Sequence, residues 1–286
     1  MHTRPHTLTA LALASLIALG GQALAARLND ADAVPHLDGR GKDGYRQFLN
    51  SPSPRAFAIA PGGAWGWSIA ASTGRLADLE ALTNCQANTR QRCQIYAHDD
   101  QIVLDAAEWS RSWGPYQTAR EAAKAQFGTR LGDRFPDLIF KDERGRPTRV
   151  SSWRGKVVVL HFWGSWCPPC QREMPELAKL YTRMRHHGDI RFAFLQVRED
   201  YASARACADG ITKGLPIYDS GAGQDGDGQL RLADGSRISD RTIAMAFPTT
   251  YVIDKHGLVV FSHVGPVSGW DQYAPFLRDV AARSGK

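Results

Sequence analysis

Cys167 and Cys170 are the residues best placed to do chemistry, as a C-x-x-C pair enclosing Pro168 and Pro169. Such a pair serves as a reversible dithiol or as half of a zinc site. Zinc would need two more ligands at metal-binding spacing. Cys207 stands alone and the histidines form no HxxxH pattern, so no metal is expected and redox chemistry is the better reading. The flanking elements agree with it. Residues 157–162 are β-branched, aliphatic or aromatic apart from His161, a pattern that suits a strand buried on both faces. Gly164 and Ser165 break the run, and residues 171–180 read as a helix. Cys167 is therefore expected exposed at a helix N-terminus, where the dipole and free N–H groups favour a thiolate. Cys170 is expected one turn inside, less exposed. The two prolines pre-set φ at the helix start.

The stretch FWGSWCPPCQREMPEL resembles the active-site segment of thioredoxin-like proteins, specifically the TlpA/ResA/CcmG-like periplasmic group. DRFPDLIFKDERGRPTRVSSWRGKVVVLHFW resembles that group's lead-in strand, hairpin and first core strand, and FPTTYVIDKHGLVVFSHVG its cis-proline segment and closing hairpin. The resemblance covers residues 131–286 and implies a thioredoxin-like α/β sandwich. It implies Cys167 as the attacking thiolate and Cys170 as the resolving thiol. It further implies Pro248 as a cis-proline facing the dithiol, and a substrate groove bordered by Trp166, Phe247 and Thr249. Glu173 matches the glutamate of the CxxCxxE pattern. It is either a buried proton carrier or a solvated helix residue. His161 is a departure, standing where the group usually carries Asn or Asp. It is either a proton acceptor for Cys170 or a core histidine satisfied by a hydrogen bond. The group also implies protein disulfides as substrates, electrons from a DsbD-like membrane reductase, a role in cytochrome c biogenesis, and no cofactor beyond the Cys167–Cys170 disulfide.

Residues 1–25 read as a cleaved secretory signal peptide, with Arg4 in the n-region, an apolar run at 8–19 and Ala23-Leu24-Ala25 as the cleavage site. The alternative, a retained anchor, is disfavoured by the shortness of the apolar run. A periplasmic location follows, with no stable membrane span after cleavage. The net charge of +6, or +5 once Arg4 is gone, is spread without Lys/Arg blocks, which argues against nucleic-acid binding.

Residues 26–54 read as an extended lead-in with one short helix near 44–50. Residues 55–113 read as a small α+β module: strands at 56–60 and 64–70, a helix at 75–84, and a second hairpin. In an exported chain Cys85 and Cys93 are expected to form a structural disulfide. This module faintly resembles secreted DUF4189-type domains, which have no assigned chemistry. Residues 114–130 are expected to be a helical linker, with a helix over 118–127. Residues 219–240 form a Gly/Asp-rich insertion expected as a loop or hairpin bordering the site; Asp225-Gly-Asp227-Gly only hints at calcium. Cys207 reads as a free, buried helix thiol or as a mixed-disulfide or dimer cysteine.

Three functions compete. The first is a periplasmic reductant of disulfides in exported proteins. The second is a disulfide-forming oxidant. The third is a partner-binding protein that works through the N-terminal module.

Overall fold

The computed structural model describes residues 28–89, 91–223, 228–267 and 269–286. The expected signal peptide and the Asp225–Asp227 calcium hint lie outside them. No helix among the described residues is long and apolar enough to cross a membrane.

The first module begins with α1 (Gly39–Leu49), capped by the Asp38 carboxylate on the Gly41 N–H at 2.7 Å. Strands β1 (Ala56–Ile59) and β2 (Trp65–Ser68) form a hairpin turned by Gly63 at φ 88°. Helix α2 (Gly74–Gln86), capped by Thr73, leads to β3 (Gln94–His98) and β4 (Gln101–Ile102). The sheet order is β2-β1-β3-β4. A Cys85–Cys93 disulfide ties the end of α2 to the approach of β3. The lead-in expected as largely extended differs. Its helix starts five residues earlier than expected, and Leu28, Val34, Leu37, Tyr45 and Phe48 pack in one cluster with Phe57, Ile59 and Tyr96. The reason is packing: Gly41 and Gly44 lie so close to Trp65 that a Cβ at either would come within 3 Å of the indole.

Helix α3 (Ala106–Arg111) and the single turn α4 (Ala119–Ala122) connect the modules. The helix expected over 118–127 is thus cut short. Past Ala122 no apolar face has a core to bury: Phe127 is 70% exposed, and the chain turns so that Gly128 N–H meets the Arg134 carbonyl at 3.0 Å.

The second module holds β5 (Leu138–Lys141), β6 (Pro147–Arg149), β7 (Val157–Trp163), helix α5 (Pro168–Met184), β8 (Ile190–Gln196), helix α6 (Tyr201–Ile211) and β9 (Ile217–Asp219). The insertion supplies β10 (Gln229–Leu232) and β11 (Arg237–Ser239), followed by the short α7 (Asp240–Ile243). Strands β12 (Thr249–Ile253) and β13 (Val259–Val264) and helix α8 (Ala274–Arg283) complete it. The sheet runs β11-β10-β5-β9-β8-β7-β12-β13, with β6 on β5. Strands β7, β8 and β9 are parallel; β12 and β13 are antiparallel. This is the thioredoxin-like sandwich expected of residues 131–286, widened by the insertion hairpin. Strand β7 is buried along its whole length. Val157, Val159 and Trp163 face one cluster with α5 and α8; Val158, Leu160 and Phe162 face the other. His161 shares the face of Val159 and Trp163 by the period-two alternation of a strand.

The modules are clasped. His36, buried at φ 63°, stacks on Tyr273 with centroids 4.2 Å apart, and its N–H donates to the Gln272 side chain at 2.9 Å. Trp113 meets Phe276 edge-on at 5.7 Å, and Tyr116 donates to Asp279 at 2.7 Å.

Candidate active site

Strand β7 delivers the chain to Gly164, and helix α5 starts at Pro168 with Cys167 as its N-cap. The prolines occupy first-turn positions, where a missing N–H costs nothing. Cys167 and Cys170 are disulfide-bonded, and Cys167 Sγ accepts from the Cys170 N–H at 3.3 Å. The expected exposure of Cys167 is corrected: it is only 4% exposed, and Cys170 is fully buried. Cys167 is drawn into the cluster that holds Cys170, Met174 and Phe247. The exposed group at the site is Trp166, whose ring meets Phe247 edge-on at 5.3 Å.

The Phe247–Pro248 peptide is cis. It is followed directly by β12, and the Pro248 carbonyl accepts from the Gly265 N–H at 2.8 Å. Thr249 does not border a groove as expected: it is wholly buried, its hydroxyl donating to the Ala246 carbonyl at 2.6 Å. Nearby in the chain, Met245 is 74% exposed.

Glu173 lies one turn beyond Cys170 and is 5% exposed, which excludes a solvated helix residue. One carboxylate oxygen accepts from Val267 N–H at 3.1 Å and from the Trp270 indole N–H; the other has no hydrogen-bond partner among the described residues. Burial pushes its pKa up to about 8, against the two hydrogen bonds that pull it down. His161 is fully buried beneath the same cluster. Its Nδ1 is 2.9 Å from Thr250 Oγ1, its Nε2 is unpartnered among the described residues, and burial holds its pKa down to about 3. It is a neutral imidazole at physiological pH. Cys207 is a free, half-buried thiol on α6 whose pKa burial pushes up. No group of three or more His, Cys, Asp or Glu among the described residues could hold a metal ion.

Several supports were not legible in the sequence. Glu199, buried after β8, accepts from both the N–H and the hydroxyl of Ser165. The Trp166 indole donates to the Val197 carbonyl at 3.0 Å. Between them Arg198, at φ 63°, pairs with the buried Asp240 at 2.5 and 2.7 Å and lies over the Phe247 ring at 5.6 Å. Asp240 comes from the insertion, which therefore does border the site. The only sequence signal was the Arg-Glu-Asp run directly after an apolar strand.

A family model described as Redoxin matches residues 130–274, half of the chain. The thioredoxin-like protein YneN of Bacillus subtilis is 29% identical over 160 residues, covering 54% of this chain and 82% of that one. The thiol-disulfide oxidoreductase ResA of Geobacillus kaustophilus is 33% identical over 129 residues, covering 45% of this chain. The chain spans 66% of that ResA's length. Among solved structures, StoA of Bacillus subtilis aligns at 17% identity with a TM-score of 0.38, over 50% of this chain and 98% of that one.

Proposed function

The chain belongs to the Redoxin family and is a thioredoxin-like thiol–disulfide oxidoreductase, and from that premise we propose that it works as a reductant of disulfides in exported proteins. The observation that carries this reading is the setting of the dithiol. Cys167 caps a helix beside a cis-proline, and a buried carboxyl with an unpaired oxygen lies one turn along. Cys167, as thiolate, attacks one sulfur of a substrate disulfide. A Cys167–substrate mixed disulfide forms and the substrate's other sulfur leaves as a thiolate, which takes up a proton. Cys170 then loses its proton and attacks Cys167 Sγ, closing the Cys167–Cys170 disulfide and releasing the second substrate thiol. Two electrons pass from the dithiol to the substrate, so a donor must return them. A DsbD-like membrane reductase is the class of donor that suits an exported, periplasmic chain released by cleavage after residue 25.

Glu173 lies one turn from Cys170 and, titrating at about 8, takes the proton that resolution sets free in its ionised fraction, which grows as pH rises. His161, held neutral by burial, lies on the strand face below with Nδ1 on Thr250. Pro248 and Phe247 present backbone to the substrate chain, and Trp166, edge-on to Phe247, gives it an exposed aromatic surface. Apocytochrome c, with its CxxCH disulfide, is one substrate of the proposed class.

The test is the reduction potential together with insulin reduction. A potential near thioredoxin's, about −270 mV, supports the reductant; one near about −120 mV makes the chain a disulfide-forming oxidant. Cys167→Ser must abolish insulin reduction. Retained turnover in that variant would refute the assignment of the nucleophile.

A further inference from the structure

A cleft of about 1050 Å³ lies between the two modules and does not contain the dithiol. Its walls are sheet edges. One wall is β2 with Trp65 and Trp67, and the other is the C-terminal half of β13, from Ser262 to Val264. Each of these strands ends its sheet. Hydrogen bonds at the hairpin ends fix which peptide groups face outward. Ala60 N–H bonds the Ala64 carbonyl, so the Ile59–Trp65 and Phe57–Trp67 pairs of the β1–β2 ladder are the non-bonded ones. The peptide groups of Trp65 and Trp67 therefore point away from β1, and the Trp67 carbonyl is already taken by the Asn84 side chain at 2.9 Å. On β13, Gly265 N–H bonds the Pro248 carbonyl, so Thr249–Val264 and Tyr251–Ser262 are the non-bonded pairs. The peptide groups of Ser262 and Val264 point away from β12.

The β13 edge is already used this way farther back. Val259 N–H bonds the Asp133 carbonyl at 2.9 Å, and the Val259 carbonyl accepts from the Gly132 N–H at 2.8 Å. Beyond Val259 no segment among the described residues pairs with this edge. The open part also leads to the site. Val264 is half exposed opposite Thr249, and Gly265 is bonded to the cis-proline carbonyl. A strand lying along Ser262–Val264 would therefore run onward to the Phe247–Pro248 segment, where the substrate's main chain must pass to bring its disulfide to Cys167.

We propose that the cleft is a second docking site for the substrate polypeptide. An extended segment flanking the substrate's cystine adds as a strand to the open edge of β13, with Trp65 and Trp67 as the facing wall. The proposal rests on the reading of Cys167–Cys170 as the reactive pair. Alternating outward peptide groups match an extended polypeptide, and continuity with the cis-proline segment selects the substrate over an unrelated partner. Arg40 and Arg130 line the cleft, exposed and without an ion-pair partner among the described residues, so a segment carrying acidic residues is preferred.

The probes are a short cystine peptide and the same cystine carrying an extended acidic arm, placed in turn on its N-terminal and C-terminal side. Both are reduced by the full chain after pre-reduction with DTT. One arm should raise kcat/KM by about tenfold or more through KM, as expected of a few main-chain hydrogen bonds. Ser262→Pro removes one outward N–H and no ladder bond; it should bring the long-to-short ratio close to one while the short peptide keeps its kcat/KM. Arg40→Glu plus Arg130→Glu should cut the ratio without touching the β13 backbone, which covers the case in which the proline variant fails to fold. Failure of the wild type to reduce the short peptide refutes the dithiol reading itself. Equal rates for all the peptides, or a ratio unmoved by either folded variant, overturn the docking site alone. So does a concentration-dependent dimer that Ser262→Pro dissolves with no change in ratio, since the occupant is then a second copy.

Discussion

Glu173→Gln isolates the electrostatics of the site from its chemistry. In the folded chain burial moves the Glu173 carboxyl from its ordinary 4.5 up to about 8. Between those values the folded state holds a proton that the unfolded chain has released. Stability linked to this group is therefore fully present below pH 4.5 and is lost as pH rises toward about 8, by about 1.4 kcal/mol per pH unit. Glutamine reproduces the protonated form: its oxygen can accept from Val267 and Trp270, and it carries no charge to desolvate. The variant should match the wild type below about pH 4.5 and become steadily more stable than it up to pH 8. Titrating both oxidised proteins with urea at fixed pH measures this directly, because the other ionisable groups cancel in the difference. A variant-minus-wild-type stability that stays flat from pH 5 to 8 would show that Glu173 is ionised throughout and that burial does not raise its pKa.

Cys85→Ser with Cys93→Ser should leave insulin reduction near the wild-type rate while lowering stability by about 2–3 kcal/mol, the chain-entropy cost of opening this short loop; thermal melts and initial rates under one condition check both. Cys170→Ala should accumulate DTT-sensitive adducts through Cys167 in periplasmic extract, seen on non-reducing gels, because nothing remains to resolve the mixed disulfide. Burial holds His36 down to about 4, so its contribution to stability is present above pH 6.5 and is lost as pH falls. His36→Phe keeps an aromatic ring on Tyr273 and should flatten the acid side of the stability profile between pH 6.5 and 4.5; urea midpoints across that range would show an unchanged slope if the reasoning fails.

The parts legible in the sequence were those set by local chemistry. The buried strand, the C-x-x-C at a helix start and the closing hairpin each carry their signal within a few residues, and the structure has all three. Glu173 was ambiguous because a helix residue three past a cysteine can face either way; Val267 and Trp270, about a hundred positions on, decide it. Thr249 was placed by the family resemblance, which carries a position along the strand but not its side chain's burial; β12 is buried on both faces, Thr249 included. Arg198 was invisible for a different reason. Its importance rests on an ion pair to Asp240 across an insertion, and sequence spacing does not predict which carboxylate a long side chain will find. The lead-in misled because its polar composition hid six apolar residues that reach the first module's core.

The clasp at His36 has a bearing on how the molecule can be divided. A fragment beginning at residue 131 would contain every residue that does chemistry, yet it would leave the rings of Tyr273 and Phe276 without the His36 and Trp113 that cover them. It would also take from the Gln272 side chain its bond to the His36 N–H and from Asp279 its bond to Tyr116, leaving Asp279 with Arg283 alone. The catalytic half is thus made with one flank unfinished. A gene carrying it alone would encode a sticky product, and the two halves are best regarded as a single unit of inheritance and of manufacture.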